Sequence, residues 1–341
     1  MTTVLITGGC GFIGANFVHL LLAERPHWQV INVDALTYAG NLANLAEVAD
    51  NPNYRFARVD ITDRAALDGL LAELSEAPTH IVNFAAESHV DRSILGPEVF
   101  VRTNVLGTFN LLELARALEG CRFVQISTDE VYGSLGDEGV FSEDTPLQPN
   151  SPYSASKASA DLLARSYHHT FAMDVVTTRC SNNYGRFQFP EKLIPLMIIH
   201  ALAGKPLPVY GSGRNVRDWI HVEDHCRGIL AALERGRAGE VYNFGGLAER
   251  RNLDIVQFIA DTVCGNRDAI RFVADRPGHD WRYAMGIDKA QAELGWGPNW
   301  TFETGLADTV KWYLANQPWW EAVQSQAYRE FYDRWYGDRT A

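Results

Sequence analysis

Two groups of residues in the middle of the chain have the types and spacing that could perform chemistry on a carbinol. Thr128, Asp129 and Glu130 follow directly after an apolar, strand-like segment. A hydroxyl and two carboxylates at the end of a strand could supply both the acid and the base for an elimination. Tyr153 and Lys157 follow in a Tyr-x-x-x-Lys pattern, which suits hydride transfer. Together, the two groups predict a reaction that includes both a hydride transfer and an elimination, which neither group would predict alone.

Each group also has an ordinary structural interpretation. Tyr153 and Lys157 would share one face of a helix, where the ammonium group can stabilise a tyrosinate and lower the pKa of the phenol. The same spacing could instead mark a half-exposed helix start with a solvated lysine. Asp129 and Glu130 could be a solvated pair at a strand end, because the side chains of neighbouring strand residues diverge.

Composition excludes several classes of function. The chain has 341 residues, of which 46% are hydrophobic, which suits one large domain or two coupled domains. Its formal net charge of -12 opposes binding to nucleic acid or to anionic lipid. The five widely spaced cysteines form no Cys-x-x-Cys pair and suit reduced thiols. Without a secretory signal or a membrane-spanning apolar run, we expect a soluble, cytoplasmic protein.

The N-terminal segment predicts a dinucleotide-binding turn. A short apolar strand at 4–6 leads into Gly8, Gly11 and Gly14, and a helical pattern then continues through Leu22. Small residues at this spacing let the backbone approach a pyrophosphate at the N-terminus of the helix. The alternative is a tight strand-to-helix turn without a ligand.

Two acidic residues follow the next strand-like segments. Asp34 comes after 30–33, about twenty residues beyond the turn, where a carboxylate accepts hydrogen bonds from ribose hydroxyls. It favours NAD over NADP because it would repel the extra phosphate. Asp60 comes after 54–59 and is a candidate contact on the adenine side, although a helix cap or turn residue explains it equally well.

The wider pattern predicts an α/β fold with a Rossmann-like, doubly wound parallel sheet. Further strand-like runs lie at 80–84, 122–127 and 175–178. Helical spacing is found between them at 65–74, 104–118 and 154–171. This alternation places the residues that follow each strand at one edge of the sheet.

After Gly185, prolines and the turn at 211–213 interrupt this alternation and predict a smaller, interleaved C-terminal substrate domain. A helix at 222–233 and a strand at 240–244 return to the sheet. We therefore predict an NAD-binding domain from residues 1–185 with a returning segment of about 214–245, and a sugar-nucleotide-binding domain from 186–213 and 246–341. The aromatic tail 312–336 predicts an amphipathic helical closure.

The glycine turn and the Tyr-x-x-x-Lys pair resemble the extended short-chain dehydrogenase/reductase superfamily, and longer segments resemble its dTDP-glucose 4,6-dehydratase family. These segments extend over almost the whole chain: 34–41, 85–93, 127–133, 181–185, 189–196, 215–219 and 275–280. The resemblance implies NAD as the cofactor, a nucleotide sugar as the substrate with dTDP-glucose favoured, and a role in deoxysugar biosynthesis, such as that of rhamnose. It also implies a homodimer, with helices 104–118 and 154–171 at the interface.

The resemblance also implies a role for each residue of the site. Tyr153 would take the proton of the C4 hydroxyl, Glu130 would act at C5, and Asp129 would protonate the hydroxyl that leaves C6. Thr128 would form a hydrogen bond near O4 of the sugar, and Lys157 would hold the nicotinamide ribose. The implied cofactor-binding residues are Gly8, Gly11, Phe12, Ile13, Gly14, Asp34, Asp60, Ile61, Ala85, Tyr153 and Lys157. The implied substrate-binding residues are Ser88, Asn182, Lys192, Leu193, Pro208, Tyr210, Arg217, Asn252 and His279.

Some alternatives remain open. Arg217 could pair with Asp218 or Glu223 instead of a diphosphate, and His279 could stabilise its own loop. A metal site at His221-x-x-x-His225 is rejected because no third ligand stands out. An epimerase or a simple dehydrogenase would share the fold but leave the acid pair without a task, and a non-catalytic NAD sensor would not need both groups.

The chain departs from the family pattern at three positions, Arg186, Trp281 and Gly286, where proline, arginine and aspartate are expected. All three lie outside the proposed catalytic centre. They therefore leave open a 4,6-dehydratase or 4-epimerase acting on another nucleotide sugar, such as UDP-glucose.

Overall fold

The computed structural model describes residues 2–324 and Trp335. Its strands, numbered along the chain, are β1 (Thr3–Thr7), β2 (Gln29–Val33), β3 (Tyr54–Ala57), β4 (His80–Asn83), β5 (Arg122–Thr128), β6 (Val175–Cys180), β7 (Asn182–Tyr184), β8 (Leu207–Tyr210), β9 (Val216–His221), β10 (Val241–Phe244), β11 (Glu249–Arg251) and β12 (Ile270–Val273). Its helices are α1 (Phe12–Glu24), α2 (Arg64–Ala72), α3 (Val90–Leu95), α4 (Glu98–Phe100), α5 (Thr108–Arg116), α6 (Pro152–Phe171), α7 (Leu193–Leu202), α8 (Val222–Arg235), α9 (Asn252–Val263), α10 (Asp288–Leu294), α11 (Phe302–Ala315) and α12 (Gln317–Val323). Two 3₁₀ segments, Leu42–Val48 and Asp129–Tyr132, and a π-helical segment, Val101–Gly107, complete the regular structure.

Seven strands form the central parallel sheet, in the order β10-β6-β5-β4-β1-β2-β3. The strand order reverses between β1 and β4, whose last residues Thr7 and Asn83 pair directly. Because apolar residues dominate these strands, helices can cover both faces of the sheet. The predicted α/β, Rossmann-like fold is therefore confirmed.

Each face of the central sheet has its own apolar core. On one face, α1 and α8 pack together, with Phe17 and Ile229 fully buried. On the other face, α2, α5 and α6 bury Leu67, Leu111 and Ala164. These two layers fix the strand ends from which the candidate site residues project.

Two smaller sheets and a separate apolar core lie outside the central sheet. Strands β11, β9 and β7 form one small sheet, and β12 pairs with β8 in another. Because β9 joins the small sheet, the return to the central sheet begins with α8, later than residue 214. In addition, Ala290 and Leu294 of α10 pack into the core of the central sheet, although the sequence assigned this segment to the substrate domain.

The predicted helix at 104–118 begins as the π-helical segment Val101–Gly107 and continues as α5. The segment carries Asn104, whose side chain accepts from the backbone N–H of Glu87 at 2.9 Å and donates to its carbonyl at 3.0 Å. The wider helical turn therefore ties this helix to the loop after β4, and π-helical turns are frequent at functional sites.

The predicted aromatic closure is seen in part, as the end of α11 and as α12. The rest of it, residues 325–334 and Tyr336, lies outside the described residues. Among the described residues, no helix is long and apolar enough to cross a membrane.

Candidate active site

A cleft follows the C-terminal edge of the central sheet, where the strand order reverses. Residues that follow β1, β2, β4, β5 and β6 all contribute to its lining: Gly8, Asp34, Ala85, Asp129 and Ser181. Doubly wound sheets bind their ligands at such a point because the loops on either side diverge there.

The glycine turn brings bare backbone to the cleft. Gly8 has a φ of 69°, and a Cβ there would lie 2.7 Å from backbone of the loop after β4. A Cβ on Gly14 would lie 2.3 Å from the carbonyl oxygen of Gly8. No side chain caps α1 at Gly11, so the first-turn N–H groups of Phe12 and Ile13, which line the cleft, can bind an anion. The turn therefore fits a pyrophosphate.

Asp34 presents a backbone-held carboxylate at the end of β2. Its Oδ1 accepts from the N–H of Leu36 at 2.8 Å, and its Oδ2 accepts from the N–H of Cys10 at 2.9 Å. Burial raises the pKa of Asp34, and these two hydrogen bonds oppose that shift. A carboxylate fixed in this way retains lone pairs that can accept from ribose hydroxyls.

Asp60, Ile61 and Ala85 also line the cleft, as predicted for the cofactor site. Asp60 is exposed, and its Oδ1 accepts from the N–H of Thr62 at 2.8 Å. Asp63, not Asp60, caps α2. Asp60 is thus a turn residue, as the alternative interpretation held, that also borders the cleft.

The start of α6 is fixed by its own sequence. Ser151 and Ser154 form a capping box in which each side chain accepts from the other residue's backbone N–H, and Pro152 occupies the first turn. This start places Tyr153 and Lys157 in the lining of the cleft, with exposed fractions of 8% and 5%. The alternative of a half-exposed helix start with a solvated lysine is wrong.

The electrostatics of this pair differ from the prediction. Lys157 donates from Nζ to the carbonyl of Ile126 at 2.6 Å, and burial lowers the pKa of Lys157. Burial, followed by the negative charge of Glu130, raises the pKa of Tyr153 well above its ordinary value. The expected lowering of the Tyr153 pKa is wrong for this arrangement, because burial and the nearby carboxylate dominate.

The acid pair lies in a 3₁₀ turn and not in an extended strand. Thr128 caps this turn: its Oγ1 accepts from the N–H of Glu130 at 3.3 Å and donates to Oδ1 of Asp129 at 3.1 Å. Asp129 is only 2% exposed. Because the turn curls back, both carboxyl groups line the cleft. The interpretation of a solvated pair is therefore wrong.

The surroundings separate the pKa values of the two acids. Burial, followed by the charge of Glu130, raises the pKa of Asp129 well above its ordinary value. Burial also raises the pKa of Glu130, but Arg276, Lys192 and Arg217 oppose that shift. Asp129 therefore holds its proton more firmly, and such a separation assigns the acid and the base of a pair.

Three predicted substrate residues line the cleft: Ser88, Asn182 and Lys192. Lys192 donates from Nζ to the carbonyl of Ser88 at 2.7 Å, which joins the loop after β4 to the start of α7. The Oδ1 of Asn182 is buried and accepts no hydrogen bond from the described residues. Leu193 follows Lys192 as the first residue of α7 but is outside the cleft lining.

Arg217 lies in β9, behind the acid pair. It donates to the carbonyls of Val216 at 2.7 Å and Asp280 at 2.9 Å. Asp218 instead accepts from two backbone N–H groups, and Glu223 accepts from a tryptophan. The alternative pairing of Arg217 with either acid is therefore wrong. Like Arg217, four other predicted substrate residues lie outside the cleft lining: Pro208, Tyr210, Asn252 and His279.

Arg276 is a candidate site residue that was absent from the sequence prediction. It donates to Oδ1 of Asp91 at 3.0 Å, while the hydroxyl of Tyr210 donates to Oδ2 of the same carboxylate at 3.0 Å. Its positive charge also opposes the raised pKa of Glu130. The segment 275–280 was singled out in the sequence, but only His279 was nominated from it.

The remaining predicted substrate residues lie around or near the group formed by Arg276, Asp91 and Tyr210. His279 lies 2.6 Å from Oδ1 of Asp275 through Nδ1, and its ring centroid is 6.1 Å from that of Tyr210. Burial lowers the pKa of His279 to about 4, so the imidazole is neutral and suits the loop-stabilising role. Pro208 of β8 pairs with Arg271 of β12, and the Oδ1 of Asn252 at the start of α9 is buried without a partner among the described residues.

The three departures from the family pattern all have structural roles outside the cleft lining. Arg186 donates from Nε to Oδ1 of Asn16 at 2.8 Å, which joins its loop to α1. Trp281 donates from Nε1 to Asp137 at 3.0 Å at the surface. Gly286 donates from its backbone N–H to the carbonyl of Phe141 at 2.8 Å.

The two histidines of the rejected metal site, His221 and His225, are buried among aromatic and amide groups. His225 lies 2.9 Å from Oδ1 of Asn183 through Nδ1, and the ring of His221 lies 4.4 Å from that of Trp300. Burial lowers the pKa of His221 to about 4. Among the residues described by the structure, no group of three or more His, Cys, Asp or Glu could hold a metal ion.

The fold and the site together define a class of protein. A glycine turn, a ribose-type carboxylate and a buried Tyr-x-x-x-Lys pair open into one cleft of a Rossmann-like sheet, which is the arrangement of a short-chain dehydrogenase/reductase.

Comparisons with known proteins narrow this class. Residues 5–309 match the family model described as GDP-mannose 4,6 dehydratase. The dTDP-glucose 4,6-dehydratase of Xanthomonas campestris is 53% identical, over 96% of this chain and 98% of the relative. The same enzyme from Streptomyces venezuelae, solved with NAD, has a TM-score of 0.91 and 51% identity, over 94% of this chain and 100% of that chain. A Thermus thermophilus UDP-glucose 4-epimerase complex with NAD has a TM-score of 0.84 but 29% identity, over 92% of this chain and 100% of that chain. The chain belongs to the dTDP-glucose 4,6-dehydratase family.

Proposed function

We propose that the protein catalyses the NAD-dependent dehydration of dTDP-glucose to dTDP-4-keto-6-deoxyglucose, for use in deoxysugar biosynthesis. One observation carries this proposal: the acid pair, buried Asp129 and half-buried Glu130, lines the same cleft as the oxidation pair, Tyr153 and Lys157. Relatives of about half identity that bear the dehydratase name support it.

The residues present fit NAD. The turn from Gly8 to Gly14 would hold the pyrophosphate, Asp34 the adenosine ribose, and Lys157 the nicotinamide ribose. When bound, NAD supplies a hydride acceptor for C4, a hydride donor for C6 and a positively charged nicotinamide ring. Asp34 selects against NADP because a further phosphate would meet its charge.

In the first step, the C4 hydroxyl becomes a ketone. Tyr153 takes the hydroxyl proton as the hydride leaves C4, while Thr128, which lies near Tyr153, would hydrogen-bond near the substrate O4. The ammonium of Lys157, four residues farther along α6, favours the tyrosinate against the effects of burial and of Glu130.

In the second step, the ketone acidifies the C5 proton, and water is eliminated. Glu130 takes the C5 proton because its positively charged neighbours favour its ionised form. Asp129 donates its proton to the hydroxyl that leaves C6, because burial favours the protonated form of Asp129. One C–H bond and one C–O bond break, a C5–C6 double bond forms, and water is released.

In the last step, C6 is reduced and the enzyme returns to its starting state. Glu130, whose proton exchanges with the solvent, protonates C5 as the hydride reaches C6. Tyr153 then holds the proton of the C4 hydroxyl and Asp129 lacks the proton given to the leaving water, so one proton passes from Tyr153 to Asp129 through the solvent and restores both. The substrate loses one water, and the cofactor is neither consumed nor released.

The substrate's diphosphate needs a local group of donors, because the chain has a net charge of -12. Arg276 and Arg217 lie beside Glu130 and can supply those donors. We assign Asn182 and Asn252, with Arg217, to the diphosphate, and Lys192 and Leu193 to the vicinity of the nucleotide. Pro208 and Tyr210 would flank the base, and Ser88 and His279 complete the proposed substrate-binding set.

We also propose the domain division predicted from the sequence, residues 1–185 and about 214–245 for NAD and 186–213 and 246–341 for the sugar nucleotide, with two changes: the returning segment starts at α8, and α10 packs against the NAD-binding part. The cleft supports this division because its lining draws the cofactor side from the central sheet and Phe189, Glu191 and Lys192 from the loop before α7. All five cysteines are free thiols, which supports a reducing, cytoplasmic compartment.

A homodimer is the assembly we propose. Large apolar side chains are exposed on the π-helical segment, on α5 and on α6: Val101, Leu106, Phe109, Leu162 and Phe171. Such a face suits a second copy of the same helices. Light scattering should give twice the chain mass for the native protein and the mass of one chain for Leu162→Glu. A native protein with the mass of one chain would overturn the proposal.

The test of function uses purified protein with dTDP-glucose or UDP-glucose in heavy water. We expect dTDP-glucose to lose one water and gain one deuterium at C5, measured by mass spectrometry. A 4-epimerase would instead return an isomer of unchanged mass. A preference for UDP-glucose would move the proposal to another nucleotide sugar while keeping the dehydration.

A further inference from the structure

A buried polar network lies behind the cleft, and the mechanism above does not use it. Its centre is Arg179 of β6, which is 6% exposed. Arg179 donates from Nε to Oδ2 of Asp161 at 2.9 Å and from another guanidinium nitrogen to the hydroxyl of Tyr132 at 2.8 Å. Both partners are almost fully buried, with exposed fractions of 3% and 2%. Three elements of the fold therefore meet at one guanidinium group.

One end of the network fixes the acid pair. Tyr132 is the last residue of the 3₁₀ turn Asp129–Tyr132 that carries both acids. Its hydroxyl donates to Oδ1 of Asn243 in β10 at 2.8 Å, and its ring lies 4.9 Å from that of Phe141. The guanidinium carbon of Arg179 lies 4.8 Å from the Tyr132 ring centroid. The end of the turn is therefore held by hydrogen bonds, by stacking and by a cation–π contact.

The other end fixes the oxidation pair. Asp161 lies on α6, one turn beyond Lys157 and two turns beyond Tyr153. Its negative charge opposes the effect of burial on the pKa of Lys157. The network thus joins the helix that oxidises C4 to the turn that acts at C5 and C6.

We propose that Asp161, Arg179 and Tyr132 are positioning residues that hold the acid pair in register with Tyr153 and Lys157. This inference rests on the proposed function, because both groups must act in turn on one bound sugar. Displacements of a fraction of an ångström slow such reactions, since the reacting atoms must meet in a narrow range of geometry.

Stability alone is a weak reason for such a network. A buried ion pair loses hydration that its attraction often fails to recover, so apolar side chains of similar volume can stabilise a fold as well or better. Here the ion pair instead supplies directed hydrogen bonds to two elements that carry reacting groups. This directionality is what positioning requires.

The test compares Tyr132→Phe with Tyr167→Phe. Both remove one hydrogen-bonded phenolic hydroxyl, but that of Tyr167 is only partly buried and donates to Oε1 of Glu113 in α5 at 2.6 Å, at the far end of α6 from Tyr153. For Tyr132→Phe, we expect kcat for dehydration to fall about tenfold, KM to stay the same, and the fraction of reduced cofactor at steady state to rise. Tyr167→Phe should match the wild type in all three.

Asp161→Asn is a second variant that keeps the shape of the side chain and removes its charge. We expect a lower kcat in protein with the wild-type circular dichroism spectrum. Folded Tyr132→Phe and Asp161→Asn proteins with wild-type kcat and cofactor fraction would overturn the inference alone. A wild-type protein that forms no dehydrated product would overturn the proposed function and this inference with it.

Discussion

The hydroxyl of Thr128 donates a hydrogen bond to Oδ1 of Asp129 at 3.1 Å, and Oδ2 of the same carboxyl has no hydrogen-bond partner among the described residues. One oxygen is therefore oriented by the protein while the other remains able to carry a transferable proton. Together with the raised pKa of Asp129, this relationship supports its role as the acid of the elimination.

The first prediction concerns pH. Asp129 must be protonated to act, and burial followed by Glu130 raises its pKa, while Arg217 opposes the shift. Elimination should therefore persist above the ordinary titration range of an aspartate and be lost as the pH rises through the raised pKa. Asp129→Asn should slow elimination by about 10²–10⁴-fold and remove this limb from the pH–rate profile. A profile that keeps the limb in the variant would contradict the assignment.

The second prediction is that Glu130→Gln separates oxidation from elimination. The variant should still oxidise C4, because Tyr153 and Lys157 are unchanged, and should then stall with reduced cofactor. The absorbance of the reduced nicotinamide would show this accumulation after dTDP-glucose is added, with wild-type protein as the control. Product formation at the normal rate would refute the role of Glu130.

The third prediction is that Tyr153→Phe blocks the first step. Loss of the phenolate oxygen that accepts the proton of the C4 hydroxyl should slow hydride transfer by about 10²–10⁴-fold, measured in a single turnover. NAD binding should stay within about twofold, because the aromatic ring is kept; the control is fluorescence titration with NAD. Rapid reduction of the cofactor by the variant would exclude Tyr153 as the base.

The fourth prediction concerns the nucleotide. Arg276→Gln should weaken binding of dTDP by about 1.5–3 kcal/mol, the usual contribution of a hydrogen bond to a charged group. Isothermal titration should detect this change. Arg271→Gln is the matched control, because Arg271 of β12 is exposed and, among the described residues, its side chain donates only to the nearby carbonyls of Asp268 and Ile270. Equal affinities in the two variants would remove Arg276 from the substrate site.

The fifth prediction tests the glycine turn. Gly14→Ala should abolish NAD binding, because its Cβ would lie 2.3 Å from the carbonyl oxygen of Gly8. Gly69→Ala in α2 is the control, since no heavy atom lies within 4 Å of its Cβ; it should stabilise the fold by about 0.5–1 kcal/mol. If Gly14→Ala bound NAD normally, the pyrophosphate would have to lie elsewhere.

Local spacing was enough to predict some parts of the site. Gly8, Gly14 and Asp34 were predicted from short segments because a strand, a tight turn and a helix fix their neighbours within a few residues. Tyr153 and Lys157 were placed correctly in the cleft because both belong to the first two turns of one helix. The seven-stranded sheet followed from the alternation of strand-like and helical segments.

Other parts depend on contacts that only the folded chain creates. Arg276 meets Asp91 across 185 positions, so no local pattern pairs them. The pKa of Tyr153 rises because the fold buries its hydroxyl near Glu130, which outweighs the helical spacing to Lys157. Likewise, the 3₁₀ turn after Thr128 brings two adjacent acids into one cleft, although strand alternation would have separated them.

In the proposed mechanism, one site oxidises C4 and reduces C6 of the same sugar molecule. The most direct measurement mixes dTDP-glucose carrying deuterium at C4 with dTDP-glucose labelled throughout its sugar with carbon-13, and follows the products by mass spectrometry. We expect deuterium at C6 of the carbon-12 product only. Deuterium in the carbon-13 product, or its loss to solvent, would contradict transfer within one bound molecule.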